Sequence, residues 1–243
     1  MKQYFITGTS SGIGEALANE LLQDADNHVT GISRNQTIKH DRYDHISMDL
    51  TEIEKLNDFS FPVQSNADRI CLVNNAGYLG DIKRVGTASN DAINRTFVLN
   101  TISPAILMNI FIGQIQELHT EKIILNISSG AGQYEIDSWA SYCGSKAGID
   151  HFSKTVQHEQ EVTGGDVKIL SIGPGVVDTN MQKEIRGANP DDFSRHGDFV
   201  QLKEKGELAN PTTVAKKYVY VLNHTHKFDQ VVDSLRNIEV PGL

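Results

Sequence analysis

Two side chains able to move a proton stand four residues apart in Tyr142-Cys143-Gly144-Ser145-Lys146. The segment has a helical pattern, so both leave one helical face. A tyrosine phenol titrates at about 10 when unperturbed, and a neighbouring ammonium favours its ionised form, which makes it a better proton donor near neutrality. Ser128 and Ser129 close a strand pattern; Ser129 is thirteen positions before the tyrosine. Asn100 lies upstream in a helical stretch that Pro104 should kink or divide near Asn100–Ser103. Such a group suits a carbonyl oxygen that gains negative charge and then a proton. Plainer readings stand beside this one: Ser129 as an N-cap or turn residue, Asn100 as a cap at the helix break.

A second feature belongs to phosphate chemistry. Thr7-Gly8-Thr9-Ser10-Ser11-Gly12-Ile13-Gly14 leads from a strand pattern into a helix. Gly8, Gly12 and Gly14 permit a tight turn and close backbone approach, and the free N–H groups that open a helix attract a pyrophosphate. The spacing departs from the commoner G-x-G-x-x-G, and no Gly-Lys-Ser/Thr closes it as in a P-loop. After the second strand pattern come Ser33 and Arg34 with no acid. An acidic residue there accepts from ribose hydroxyls, whereas arginine meets a 2′-phosphate, so NADP is expected over NAD. Arg34 as an ordinary solvated charge is the alternative.

Elements that could position these residues alternate along the chain. Strands are expected at Gln3–Thr7, His28–Ser33, Asp44–Met48, Arg69–Asn74, Lys122–Ile127 and Val167–Ile172. Helices are expected at Gly12–Gln23, Thr51–Asp58, Asn90–Leu118, Ser138–Val162 and Pro211–Leu222. Near-continuous apolar strands separated by helices predict an α/β fold, a doubly wound parallel sheet of Rossmann type with helices on both faces. In such sheets ligands lie beyond the carboxyl ends of the strands. The 243 residues suit a single domain. The polar, weakly periodic segment 179–210 is long for a plain connection and reads as a substrate lid.

Composition narrows the function classes. A net charge of −9 argues against nucleic acid as the main partner. No run of about 18 apolar residues is read in the sequence, so no membrane partner is expected; no signal peptide is visible either. Cys71 and Cys143 lack any metal spacing and read as core or near-site thiols, so no metal is expected and a reducing, cytoplasmic setting fits.

Further strand-end segments complete a pattern: Asp49-Leu50 after the third strand, Asn74-Asn75-Ala76-Gly77 after the fourth and Pro174-Gly175-Val176-Val177-Asp178-Thr179 after the sixth. In this order they resemble the short-chain dehydrogenase/reductase family over nearly the whole chain. Asp49 as a helix N-cap and Asn74–Gly77 as a simple turn are the local alternatives. The resemblance extends to an Asn-Ser-Tyr-Lys tetrad, here Asn100, Ser129, Tyr142 and Lys146. It implies that Tyr142 protonates the substrate oxygen and Ser129 hydrogen-bonds it. Lys146 would lower the Tyr142 pKa and bind the nicotinamide ribose, and Asn100 would hold a water linking Lys146 to solvent. The pyrophosphate would lie on Gly8, Ser10, Ser11, Gly12, Ile13 and Gly14. Asp49 would meet the adenine, Asn75–Gly77 would line the adenosine side, and Val177 and Thr179 would hold the nicotinamide carboxamide, with Leu50, Pro174 and Gly175 also on the cofactor.

Within the family the chain looks most like the sepiapterin-reductase and benzil-reductase branch, above all over Pro174–Met181. A pterin-binding enzyme of that branch is expected to carry an acid near the C-terminus; Asp229 and Asp233 lie there in surroundings that do not match. The implied activity is NADP(H)-dependent reduction of a small carbonyl compound, with Tyr78, Leu79, Gly130, Tyr134, Ile136, Trp139, Val176 and Met181 as candidate pocket residues. Trp139 and Met181 could equally be core packing. The resemblance, with the long helices Asn90–Leu118 and Ser138–Val162, implies a homodimer or homotetramer. A redox-silent NADP-binding regulator is the alternative on the same fold.

Overall fold

The computed structural model describes all 243 residues. Seven parallel strands, β1 (Lys2–Thr7), β2 (Asn27–Ser33), β3 (Tyr43–Ser47), β4 (Arg69–Asn74), β5 (Glu121–Ile127), β6 (Val167–Gly173) and β7 (Val232–Ser234), form one sheet in the order 3-2-1-4-5-6-7. The short β7 at the sheet edge carries no apolar run, which is why sequence periodicity does not reveal it. Strand order reverses between β1 and β4, so a crevice opens beyond Thr7 and Asn74.

Both faces are covered. On one, α1 (Gly12–Leu21) and α8 (Pro211–Asn223) pack Leu17, Leu21, Val214 and Tyr218 against Tyr4, Ile6 and Leu125. On the other, α4 (Ser103–Ile115) and α5 (Ala140–Thr163) set Leu107, Phe111, Ile149 and Val156 on Phe5, Leu72 and Ile124, with the short α2 (Ile53–Asn57) at the side. Each fully buried side chain of this size contributes roughly 1.5–3 kcal/mol.

The stretch Asn90–Ile115 is α3 (Asn90–Phe97), a π-helical turn over Val98–Ile102, and then α4. Pro104, at the start of α4, lacks the N–H that a continuous α-helix would need, and the π turn accommodates the break. This corrects one expectation: by length and composition the 26-residue stretch is apolar enough to cross a membrane. Here its inner face, Leu107, Met108, Phe111 and Ile115, is fully buried in the core.

The segment 179–210 holds two helices, α6 (Asn180–Arg186) and α7 (His196–Glu204). Ile185, Phe193 and Phe199 enter a small apolar cluster with Trp139 and Tyr142, Ser194 donates to Asp137, and Ser138 donates to the Asp192 carbonyl. Salt bridges from Lys203 and Arg186 to Asp178, at 2.6 and 3.9 Å, tie both helices to the end of the preceding loop.

Candidate active site

One cleft runs along the carboxyl edge of the sheet, from Arg34 past the glycine turn to Trp139 and the α6–α7 segment. Apart from Gly14 and Asn100, every site residue expected from the sequence lines it.

The glycine turn is shaped for close approach. Gly8 and Gly12 have φ of +74° and +62°, conformations that favour glycine. Gly14 lies beneath the turn, where a Cβ would stand 2.3 Å from Asn75 Nδ2 and 2.4 Å from the Gly8 carbonyl oxygen. Asn75 Nδ2 donates to the carbonyls of Thr7 and Gly8 at 2.9 and 3.2 Å, so this asparagine clamps the turn besides lining the cleft. The Ser11 side chain makes no capping bond to α1. The N–H groups that open the helix therefore face the cleft, which fits a pyrophosphate.

At the adenosine end, Asp49 Oδ1 accepts from the Thr51 N–H at 2.9 Å and the Thr51 hydroxyl at 2.8 Å. These bonds hold its carboxyl below the usual carboxylate range, the backbone donor first. The turn role and the cleft position thus coexist, and Oδ2 has no partner within the chain. Arg34 is exposed and forms no ion pair, and its turn is pinned: Ser47 Oγ donates to the Arg34 carbonyl and Ser33 Oγ to that of Asn35. An unpaired guanidinium on a fixed turn fits a 2′-phosphate.

At the other end, Tyr142 and Lys146 project from the first turns of α5 toward the ends of β5 and β6. Tyr142 is buried at the cleft floor, where burial pushes its phenol up to about 12 while the neighbouring Ser129 hydroxyl acts in the opposite sense; this corrects the expected lowering by Lys146, because desolvation dominates. Ser129 Oγ also accepts from the Ala131 N–H at 3.2 Å, so the capping and site roles coincide. Lys146 Nζ donates to the Ile127 carbonyl at 2.7 Å and lies 5.9 Å from the centre of the Tyr142 ring. Burial lowers its ammonium to about 8, opposed by Asp150.

Asn100 sits in the π turn, 1% exposed. Its Oδ1 accepts from the Tyr78 N–H at 2.8 Å, and its Nδ2 donates to the Tyr78 carbonyl at 2.8 Å and to Ser145 Oγ at 3.0 Å. This side chain is a clamp between the β4 loop and α5. Gly77 lies beside Asn100 and Lys146: a Cβ there would make ordinary contact with Asn100 Oδ1 at 3.5 Å and with Lys146 Nζ at 3.9 Å.

Above Tyr142 the wall is aromatic. Trp139 meets the Tyr142 ring edge-on at 5.7 Å and stacks on Phe193 at 5.4 Å, with Met181 packed alongside. Trp139 and Met181 are therefore both packing and wall residues. Sequence reasoning missed Arg95 and Leu99 on the α3–π turn, Phe199 on α7, and Gln230 and Arg236 beside β7, all of which line the cleft. Leu99 has a signal, being adjacent to Asn100; the others reach the site only through chain folding. Asp229 lies off the cleft, whereas Asp233 lines it with Oδ1 accepting from the Ser234 N–H and Asn237 Nδ2.

Comparison with known proteins agrees with this geometry. The family model described as short chain dehydrogenase matches residues 2–190. The chain is 34% identical over 239 residues, 96% of this chain and 98% of the relative, to a benzil reductase ((S)-benzoin forming) of Bacillus subtilis. It is 29% identical over 166 residues, 67% of this chain and 60% of the relative, to the sepiapterin reductase of Bos taurus. The crystal structure of a short-chain dehydrogenase/reductase from Saccharomyces cerevisiae superposes with a TM-score of 0.85 at 27% identity, covering 98% of this chain and 97% of that one. The chain belongs to the short-chain dehydrogenase family and is an oxidoreductase of that family.

Proposed function

We propose that the protein is an NADPH-dependent carbonyl reductase that converts a ketone, or one carbonyl of a compact diketone, to an alcohol. The observation that carries this reading is the phenol of Tyr142 buried at the cleft floor beside Ser129, with Lys146 Nζ 5.9 Å from its ring centre; burial keeps it protonated at neutral pH. A protonated donor at the cleft floor suits reduction, in which the substrate oxygen must receive a proton. The benzil reductase name of the Bacillus subtilis relative supports the diketone class. The wall of Leu79, Trp139, Val176 and Met181 suits an apolar, planar compound.

When bound, the cofactor supplies the hydride. The chain supplies the rest: Ser129 and Tyr142 donate to the carbonyl oxygen as its charge grows, and Tyr142 then gives up its proton. Lys146 stabilises the phenolate that this leaves and would hold the nicotinamide ribose hydroxyls. The Gly8–Gly14 turn would hold the pyrophosphate, Asp49 and Asn75–Gly77 the adenosine, and Val177 and Thr179 the carboxamide.

Arg34 carries the preference for NADPH. One charge-assisted contact is worth roughly 1.5–3 kcal/mol, about 10- to 150-fold in affinity. Arg34→Ala should therefore lower kcat/KM with NADPH by that order and leave NADH turnover nearly unchanged. An unaltered ratio between the two cofactors in that variant refutes the assignment.

Segment 179–210 acts as a lid over the substrate, excluding water during the reaction. Its anchors, Ile185, Phe193 and Phe199 in the apolar cluster, the Asp178 salt bridges, and the bonds from Ser194 to Asp137 and from Ser138 to the Asp192 carbonyl, are the contacts that opening would break. Hydrogen exchange across it should slow when NADP and a product alcohol are added; equal protection with and without them counts against a lid.

A further inference from the structure

Asp150 is a buried carboxylate for which the reading above has no task. It lies one helical turn beyond Lys146 on α5 and is 5% exposed. Its Oδ1 accepts from Ser171 Oγ of β6 at 2.6 Å. The Ser128 hydroxyl faces the carboxylate, yet both it and Asp150 Oδ2 are sealed from solvent with no hydrogen bond closed. Gly132 leaves room for the group: a Cβ there would stand 2.9 Å from Asp150 Oδ2 and 3.0 Å from the Lys146 carbonyl carbon.

Burial raises the Asp150 carboxyl, opposed by Ser128, Ser171 and the nearby lysines, so its ionised form in this place needs a compensating charge. Two cations act on it, Lys146 and Lys154. Lys154 is exposed, so water screens it. Lys146 is buried, and Asp150 is the charged neighbour that favours its ammonium. The other titratable groups around the pair are accounted for. Tyr142 and Cys143 share α5; Tyr218 of α8 donates to the Ile172 carbonyl at 2.8 Å. Asp233 of β7 is turned to Ser234 and Asn237. From the end of β5 and from the π turn come only neutral groups, Ser128, Ser129 and Asn100.

We propose that Asp150 is a positioning residue, the buried counter-charge that keeps Lys146 an ammonium beside Tyr142, with Ser171 and Gly132 fixing the carboxylate one turn behind it. The catalytic part rests on the carbonyl reductase reading; the pairing itself does not. Burial alone drives Lys146 toward the neutral amine, and a neutral amine no longer stabilises the phenolate of Tyr142. The field of Asp150 opposes that loss without contact with substrate or cofactor.

The test is carbon NMR of the free protein with lysine labelled at Cε, the Lys146 signal being assigned by its disappearance in Lys146→Arg. Asp150→Asn keeps the shape and an acceptor for Ser171 while removing the charge. The Lys146 midpoint, about 8 in the wild type, should fall by about one pH unit or more in this variant. A fall of about one unit makes kcat/KM for diketone reduction drop about eightfold at pH 8.5 and hardly at all at pH 6. Asp150→Glu should restore the alkaline limb in part. An unchanged midpoint overturns the proposal, as does a uniform loss of activity across pH with a lowered Tm, the mark of a packing residue. A fallen midpoint in a protein that reduces no carbonyl upholds the pairing and refutes the reductase reading. If Asp150→Asn does not fold, the wild type decides: the Lys146 Cε curve should carry a second, acid-side inflection where Asp150 takes up its proton, and its absence overturns the proposal.

Discussion

Tyr142→Phe is expected to lower kcat for ketone reduction by about 10²–10⁴-fold, the usual contribution of general acid catalysis, while NADPH affinity changes little. Phenylalanine keeps the ring that packs edge-on against Trp139 and removes only the hydroxyl, so the substitution tests chemistry and leaves packing intact. Two other tyrosines line the cleft, but neither combines burial beside Ser129 with a lysine one helical turn away: Tyr134 is 68% exposed, and Tyr78 lies on the β4 loop with its ring under Arg95. Steady-state kinetics with a diketone, together with NADPH titration by fluorescence, measure both quantities. A variant that folds normally by circular dichroism and keeps more than about a tenth of wild-type kcat would remove Tyr142 as the acid and, with it, the mechanism.

Lys146→Met should differ in kind as well as degree. The ammonium is assigned two tasks, stabilising the Tyr142 phenolate and holding the ribose, so kcat/KM should fall by about 10²-fold or more and NADPH binding should weaken too. The same assignment sets the pH dependence of the wild type. Burial lowers the Lys146 ammonium to about 8. Below that pH the group is charged and kcat/KM, which reports the free enzyme, is level with respect to it; above, the ammonium is lost and kcat/KM declines by about tenfold per unit. The phenol, pushed up to about 12, stays protonated through this window and does not cause the decline. In Lys146→Met the residual activity should lack that alkaline limb. A limb that persists there at the same pH would assign the titration to another group.

Much of the architecture was legible in the residues. Between the edge strands β3 and β7, the five inner strands carry apolar runs, and such runs are buried on both faces of a parallel sheet. The glycine turn, the tetrad spacings and the cleft position of Arg34 could be read because each depends on neighbours within a few residues or on one strand end. What stayed hidden involves groups distant in sequence. β7 is three residues long and is held by pairing Val232–Ser234 with Ser171–Gly173, a partnership without a local pattern. The segment 179–210 read as polar because its apolar anchors, Phe193 and Phe199, are isolated in sequence and meet Trp139 only in the fold.

The clearest division is at the site itself. The residue types by themselves determined which atoms could move a proton: a phenol, an ammonium and a hydroxyl, one helical turn and one strand end apart. Only the tertiary structure decided their protonation and their partners. Desolvation depends on what surrounds a group from every side, so the raised phenol of Tyr142 and the lowered ammonium of Lys146 follow from elements that converge from distant parts of the chain. For the same reason Asn100 proved to be a clamp on Tyr78 and Ser145, and Asp150 a buried carboxylate behind the lysine, since a side chain's task is set by the partners that folding brings to it.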